Sequence, residues 1–252
     1  MAQNSGRRLV IPAAGNGRRF AERGFVDPKP FIPIDGRPML ELVVRNMRGV
    51  LGHVPALIIL REDMMEHAER LAHLPDVEFV FEVDPRGTAA TMLSVMSKHV
   101  GAEEEVIVAN SDQIVLFDRH AFAEASDGTA GTILTFECPQ KETKWSYAEV
   151  DDDGNLVRVA EKVPISTHAT VGIYRYATRE RITDAIQKMM DANDRTNNEF
   201  YLCPAYNYLE RGELAPARIV NVDGMFGLGT PEDFEASLAQ PALRAYIAKL
   251  LV

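Results

Sequence analysis

Arg8-Leu9-Val10-Ile11-Pro12-Ala13-Ala14 runs directly into Gly15-Asn16-Gly17-Arg18-Arg19-Phe20, with Lys29-Pro30 ten residues beyond Arg19. The first seven residues read as a buried strand. The alanines and glycines after it let the backbone approach a phosphate closely, with N–H groups turned toward negative charge. Two standard patterns fit poorly. The dinucleotide fingerprint GxGxxG needs a glycine where Phe20 stands, and the P-loop GxxxxGK[ST] is absent. A glycine turn alone is weak evidence. A strand, then GxGxR, then Lys-Pro at this distance is much more specific.

Outward from this stretch, short apolar runs alternate with helical patterns. Met39–Val50 carries apolar residues at helical spacing, Ala56–Leu60 is a strand and Asp63–His73 a helix. Val77–Glu82 is a strand, Thr88–Val100 a helix and Val106–Asn110 a strand. This alternation predicts βαβ units and a parallel sheet covered on both faces. Ligands collect along the edge where the loops after such strands gather. The second half differs. Thr132–Glu137, Tyr147–Asp151 and Leu156–Glu161 are strand-like, and Asp152-Asp153-Gly154-Asn155 reads as a hairpin turn. Thr170–Tyr176 is a further strand, with a helix from about Arg179 to Asp191, a strand near Ala217–Val222 and a final helix. Leu243, Tyr246, Ile247, Leu250 and Leu251 share one face of that helix, which favours docking on the core over a subunit contact. The expectation is a single α/β domain over 1–252, with an added antiparallel portion suited to a substrate lid.

Composition narrows the class. The 252 residues are 46% hydrophobic and 25% charged, values of an ordinary globular chain. Two cysteines, Cys138 and Cys203, exclude a disulfide scaffold or a four-thiolate zinc site, and both read as buried small residues. The six histidines show no metal-ligand spacing. No apolar run reaches membrane-spanning length and no secretory signal is read, so a cytoplasmic protein is expected. A net charge of −10 argues against nucleic acid or an anionic membrane as partner. Yet residues 1–50 hold nine Lys/Arg against four Asp/Glu, while the other 202 hold 18 against 33. That asymmetry suits a small, highly charged anion near the N-terminus, or else solvated surface arginines.

IPAAGNGRRF…DPKPFIPIDGRPML resembles the N-terminal signature of the sugar-1-phosphate nucleotidyltransferases, the nucleotide-sugar pyrophosphorylases, and the resemblance continues along nearly the whole chain. Glu82-Val83-Asp84-Pro85-Arg86-Gly87-Thr88-Ala89-Ala90 looks like the segment that holds the nucleobase. Asn110-Ser111-Asp112-Gln113 looks like a metal-aspartate motif. Tyr147-Ala148-Glu149-Val150 and Glu161-Lys162 look like sugar- and phosphate-binding segments, and Gly229-Thr230-Pro231-Glu232-Asp233 like a closing motif. ANSDQ, KWSYAEV, EKVPIS, ATVGIYRY, NNEFYLCPAYNYL and GLGTPEDF are closer to a short subgroup from capsule and surface-polysaccharide gene clusters. That subgroup includes heptose- and hexose-phosphate nucleotidyltransferases and a cytidylyltransferase for a phosphorylated amino-acid amide.

The resemblance implies a Rossmann-like (GT-A-like), mostly parallel sheet, with 1–130 binding nucleotide and 131–252 binding the acceptor. It implies joining a nucleoside triphosphate (CTP, UTP, GTP or dTTP) to a sugar 1-phosphate or similar phosphate monoester, with Mg2+ as cofactor. Ala13, Ala14, Gly15, Asn16, Gly17 and Arg18 would hold phosphates, and Glu82, Pro85, Gly87 and Thr88 the nucleoside. Lys29 would sit at the α-phosphate and Lys162 would hold the incoming phosphate. Tyr147, Ala148, Glu161, Thr170, Asn198 and Glu199 would complete the acceptor site. Asp112 would hold the metal. Arg18, Lys29, Asp112 and Lys162 form the catalytic set. Because a phosphate oxygen is already anionic at neutral pH, no Ser, Cys or His nucleophile is needed; positioning and charge neutralisation suffice. Plainer roles compete: Asp112 as a helix cap, Lys29 and Glu161-Lys162 as surface charges. Trp145 either stacks on substrate or packs on the lid.

One departure stands out. Many relatives carry Trp-x-Asp-x-Gly-Thr near the C-terminus, whose aspartate is a second magnesium ligand. Here the residues are Met225-Phe226-Gly227-Leu228-Gly229-Thr230, and Asp223 is the nearest substitute. Alternative functions are a glycosyltransferase using a nucleotide sugar, a cytidylyltransferase for a non-sugar phosphate such as phosphocholine, and a non-catalytic nucleotide-binding protein. A homodimer is left open.

Overall fold

The computed structural model describes residues 6–82 and 87–251. Its sheet begins with β1 (Arg7–Pro12), whose Leu9, Val10 and Ile11 are fully buried. A strand buried on both faces needs a continuous apolar run, and this one supplies it. Leu9 and Ile11 enter one core cluster and Val10 the other, so the sheet separates two apolar layers. A short helix α1 (Arg18–Glu22) follows the glycine loop, and Lys29–Phe31 forms a 3-10 turn. The two-residue strands β2 (Pro33–Ile34) and β3 (Arg37–Pro38) pair and lead into α2 (Met39–Leu51).

Next comes β4 (Ala56–Arg61), parallel to β1. The expected helix over Asp63–His73 is a chain of short turns instead. A 3-10 turn Glu62–Met64, α3 (Met65–Ala68) and a second 3-10 turn Glu69–Leu71 follow one another. Met64, Ala68, Leu71 and Leu74 are buried along it, and i→i+3 bonding at both ends keeps them turned to the core. β5 (Val77–Glu82) pairs with β4, α4 (Thr88–His99) crosses over, and β6 (Glu105–Ala109) lies parallel to β1 on its other side.

β7 (Gln113–Leu116) leaves the main sheet. Asp118 caps α5 (Arg119–Ser126) by accepting from the His120 and Ala121 N–H groups. β8 (Gly131–Glu137), β9 (Ser146–Val150), β10 (Leu156–Glu161) and β11 (His168–Tyr176) form the antiparallel extension. β9 and β10 are joined by the expected hairpin. α6 (Arg179–Asp191), a 3-10 segment Cys203–Tyr208, β12 (Arg218–Asn221) and β13 (Gly224–Gly227) follow. The expected final helix is two, α7 (Pro231–Leu238) and α8 (Pro241–Leu250). Pro241 has no N–H to continue α7 and its ring suits the first turn of a new helix. Leu243 and Ile247 of α8 are fully buried in the core, as the apolar stripe predicts.

The nine-stranded sheet runs β10-β9-β11-β6-β1-β4-β5, with β8 on β11 and β12 on β8. β6, β1, β4 and β5 are mutually parallel, and β11 is antiparallel to β6, β8 and β9. The class expected from the sequence, a mostly parallel sheet flanked by helices with an added antiparallel portion, is the class observed. β13 pairs with β7 in a separate ribbon that brings the C-terminal segment back to the end of β6.

Candidate nucleotidyl-transfer site

The loop after β1 is fixed from two sides. Gly17 has φ +58°, and a Cβ there would lie 3.0 Å from the Lys29 Cβ. Only glycine adopts this turn without strain while packing so closely on Lys29. Gly15 differs: nothing lies within 4 Å of a Cβ built on it. Its outer side is held by Arg61 at the end of β4, whose Nη1 donates to the Gly15 carbonyl at 2.9 Å and to Asn16 Oδ1 at 3.3 Å. The N–H groups of Gly15, Asn16, Gly17 and Arg18 donate to no group among the described residues. Ala13 and Ala14 are buried, whereas the Arg18 side chain is 86% exposed, 3.7 Å from Glu22.

Lys29 reaches across the loop to Asp112, just past β6, with Nζ 2.7 Å from Oδ2. Both side chains are mostly buried, at 17% and 24% exposed, so this contact is screened less than a surface pair. The Leu228 N–H donates to the Asp112 carbonyl, and a Cβ on Gly229 would stand 2.9 Å from Oδ2. The glycine of the closing motif thus leaves room for the carboxylate. Asp112 does not cap a helix; β7 follows it.

Two cavities open beside the loop and share Pro12 and Thr88 in their walls. One, of about 210 Å³, lies between the loop and the start of α4, lined by Pro12, Ala14, Gly15, Asn16, Gly87, Thr88, Thr91 and Glu199. Gly87 (φ +104°) packs on the Phe200 backbone, with its virtual Cβ 3.1 Å from the Phe200 nitrogen, and this brings Glu199 to the cavity. The second, of about 270 Å³, lies under the antiparallel extension. Asn110, Trp145, Ser146, Glu161, Thr170 and Tyr201 are among its walls. Glu161 accepts from the Ser146 hydroxyl. Burial pushes its carboxyl above the usual range, against the Ser146 bond and the Lys162 ammonium, which pull it down. Lys162 Nζ donates to the Tyr201 hydroxyl at 2.7 Å and lies 4.4 Å from the ring centre. Cys203 also faces this cavity, its thiol pushed up to about 12 by burial and then by Glu161. Trp145 packs edge-on against Phe136 of the extension and also forms part of the cavity wall.

Other expected residues lie elsewhere. Tyr147 is fully buried, with its hydroxyl donating to the Glu142 carbonyl, and Ala148 is buried in the core; Ser146 is the residue of that motif at the cavity. Asn198 is exposed beside Arg195 and lines neither cavity. Glu82 is half-buried and accepts from the Ser94 hydroxyl. Pro85 lies outside the described residues. Asp223 needs correction as a metal ligand. The β13–β7 register pairs Gly227 with Gln113, next to Asp112, but Gly224 with Leu116. Asp223 therefore sits beyond the far end of the ribbon, over 10 Å from Asp112 at about 3.3 Å per residue. Two contributors went unnoticed in the sequence, Arg61 and Tyr201. A charged residue ending the buried run ALIIL was a usable signal for the first. The pairing of Tyr201 with Lys162 is tertiary and left none.

Among the described residues, no three His, Cys, Asp or Glu side chains are grouped to hold a metal ion. Asp112 presents one carboxylate whose Oδ2 is bonded to Lys29 and whose Oδ1 accepts from no group among the described residues, which fits a hard cation that takes one or two carboxylates and completes its shell with phosphates and water.

A parallel core with a glycine loop, a Lys–Asp pair joining the turn after that loop to the end of β6, and an antiparallel flank is the architecture of nucleotidyltransferases. The chain belongs to the MobA-like NTP transferase domain family, whose model matches residues 9–192. Among curated relatives it is 23% identical over 181 residues to the bifunctional protein GlmU of Methanocaldococcus jannaschii, covering 71% of this chain and 41% of that protein. It is also 23% identical over 170 residues to a putative mannose-1-phosphate guanyltransferase of Sulfolobus acidocaldarius, covering 66% and 47%. The chain thus spans about half the length of these relatives. Among solved structures, the nucleoside-diphosphate-sugar pyrophosphorylase of Vibrio cholerae superposes with a TM-score of 0.77 at 22% identity, covering 92% of this chain and all of that one. The inositol-1-phosphate CTP transferase of T. maritima gives 0.70 at 13% identity over 98% and 97%. At these identities the structures speak for the fold.

Proposed function

We propose that this protein transfers a nucleotidyl group from a nucleoside triphosphate to a sugar 1-phosphate or similar phosphate monoester, releasing pyrophosphate. The observation that carries this is the Lys29–Asp112 pair beside a glycine loop with unspent N–H groups, together with two cavities of small-molecule size that meet at Pro12 and Thr88. In this reading, the loop amides and Arg18 hold the β- and γ-phosphates, and the cavity at Gly87, Thr88 and Glu199 takes the nucleoside. Arginine suits its task because its fork binds phosphate oxygens in pairs. The acceptor enters the cavity of Glu161, Thr170 and Trp145, with its phosphate toward Lys162. An anionic acceptor oxygen attacks the α-phosphorus. The bond from that phosphorus to the α–β bridging oxygen breaks, and pyrophosphate leaves with the electron pair. Lys29, held in place by Asp112, neutralises charge crowding on the α-phosphate. Asp112 would hold a magnesium ion, which supplies further charge neutralisation on the phosphate oxygens. A cytoplasmic supply of activated precursors for capsule or surface polysaccharide accords with the subgroup phrases KWSYAEV and NNEFYLCPAYNYL.

The test is pyrophosphate release with magnesium, pairing each of CTP, UTP, GTP and dTTP with a panel of sugar 1-phosphates, phosphocholine and phosphorylated amides. Release that requires one triphosphate and one acceptor is the expected result. Binding of a nucleoside diphosphate sugar but of no triphosphate would favour glycosyl transfer. Absence of both turnover and triphosphate binding would refute the proposal.

A further inference from the structure

We propose that Arg61 is a positioning residue for the triphosphate, acting as a clasp that sets the direction of the loop amides; this rests on the nucleotidyl-transfer reading above. The residue ends β4, a strand paired on both edges, with β1 and with β5, and its side chain is only 19% exposed. All its donor edges are engaged. Nε and Nη2 bond Asp63 Oδ1 and Oδ2 at 3.0 and 2.7 Å, a paired contact that fixes the plane of the guanidinium. Nη1 is left aimed at the loop, where it bonds the Gly15 carbonyl and the Asn16 side chain.

The consequence follows from peptide geometry. In a trans peptide the C=O and the N–H of the same plane point in opposite directions. There are no cis peptides among the described residues, so binding the Gly15 carbonyl turns the Asn16 N–H away from Arg61. Gly15 and Asn16 line the cavity beside α4. The far end of the loop is held separately, by Gly17 packing on Lys29. Between those two anchors the free amides are oriented before any phosphate arrives, so the ordering cost of the loop is met at folding and not at binding. Arg61 does this without touching phosphate: its charge is spent on Asp63 and its donors on protein oxygens. Asp63, held below the usual carboxylate range chiefly by the Arg61 hydrogen bond, stays ionised as the clasp's other half.

The test compares Arg61→Ala, Arg61→Lys and Asp63→Asn with wild type in direct binding of a nucleoside triphosphate and of its monophosphate, and in steady-state kinetics. Wild type should prefer the triphosphate. Arg61→Ala should cut that preference at least tenfold and raise KM for the triphosphate by a similar factor. Its kcat should stay within a few-fold of wild type and its acceptor KM within twofold. Arg61→Lys should not restore the loss, because one ammonium cannot bond both Asp63 oxygens and the loop. Asp63→Asn should give an intermediate loss, and it carries the test alone if the Arg61 variants misfold. Rescue by lysine would mean that Arg61 acts as a simple charge and would overturn the clasp, as would an unchanged preference in Arg61→Ala. A wild-type protein that binds no triphosphate would instead sink the proposed function, and this inference with it.

Discussion

Alanine at Gly17 and alanine at Gly15 should do opposite things, although the two glycines are neighbours in one loop. At Gly17 the backbone is left-handed, which costs a residue with a Cβ about 1–2 kcal/mol. The added carbon would also press on the Lys29 Cβ at 3.0 Å, closer than ordinary contact, for some tenths of a kcal/mol more. The total is about 1.5–2.5 kcal/mol. At about 2–4 °C per kcal/mol for a chain of this size, Gly17→Ala should lower the apo Tm by roughly 3–10 °C. Gly15 has no such strain and open space around its virtual Cβ, so Gly15→Ala should leave the apo Tm unchanged or raise it slightly. The penalty there should appear only with ligand, since Gly15 lines the cavity and an added methyl would take up space beside it. A triphosphate at 100 times its Kd stabilises wild type by about 2.7 kcal/mol; if Gly15→Ala weakens binding tenfold, the gain falls to about 1.4 kcal/mol and the ligand-induced Tm shift halves. Differential scanning calorimetry with and without triphosphate reads both effects. A full ligand shift in Gly15→Ala, or an unchanged apo Tm in Gly17→Ala, would refute the assignment of one glycine to ligand approach and the other to the fold.

Tyr201→Phe removes the hydroxyl that accepts from Lys162, a charge-assisted bond of about 1–2 kcal/mol at a half-buried site. Acceptor KM should rise roughly 5–30-fold with triphosphate KM unchanged; initial rates at varied acceptor check this. Burial raises the Glu161 carboxyl above its ordinary 4.5, so the native state binds more protons than the unfolded state through that window. Stability should therefore fall as pH rises from about 4.5 through the folded value, and Glu161→Gln should flatten that part of a Tm–pH profile. With its thiol pushed up to about 12, Cys203 should resist iodoacetamide at pH 8 in the native protein and react once it is unfolded, which peptide mass mapping would show.

Elements with a clear period and a clear stop were legible in the sequence. Val77–Glu82, Leu156–Glu161 and Arg179–Asp191 fall where the pattern puts them. The β7–β13 ribbon did not, for two reasons. Its strands are four residues long, and Gly224 and Gly227 at the ends of β13 weaken any strand signal. Its pairing also joins segments far apart in sequence. The site divides the same way. Lys29 and Asp112 could be named because their neighbours form ordered motifs, and the fold brings them within 2.7 Å. Ser146 rather than Tyr147 faces the cavity because facing is decided by which side of β9 meets the lid core of Cys138, Tyr147 and Ala169. A motif does not carry that information.

Gly227 tests the metal reading from the opposite direction, by adding a ligand. The side chains of an extended segment alternate, and Leu228 is fully buried, so Gly227 and Gly229 share the other side. That side faces Asp112, since the Gly229 virtual Cβ stands 2.9 Å from its Oδ2. A Cβ at Gly227 would meet only Asp233, at 3.8 Å from Cβ and 4.0 Å from Cγ, which is ordinary contact. Aspartate therefore fits at Gly227, where relatives with Trp-x-Asp-x-Gly-Thr have it, although Asp233 would repel its charge. Gly227→Asp should lower the magnesium concentration that half-saturates thermal stabilisation by triphosphate, several-fold alone and further when combined with Asp233→Asn. Asp223→Asn should leave that concentration unchanged, and Asp112→Asn should raise it most. If Asp223→Asn weakened magnesium as much as Asp112→Asn, the separation along the β7–β13 ribbon would not describe the working site. If Gly227→Asp folded normally but left the magnesium dependence alone, Asp112 would not be the carboxylate around which the metal assembles.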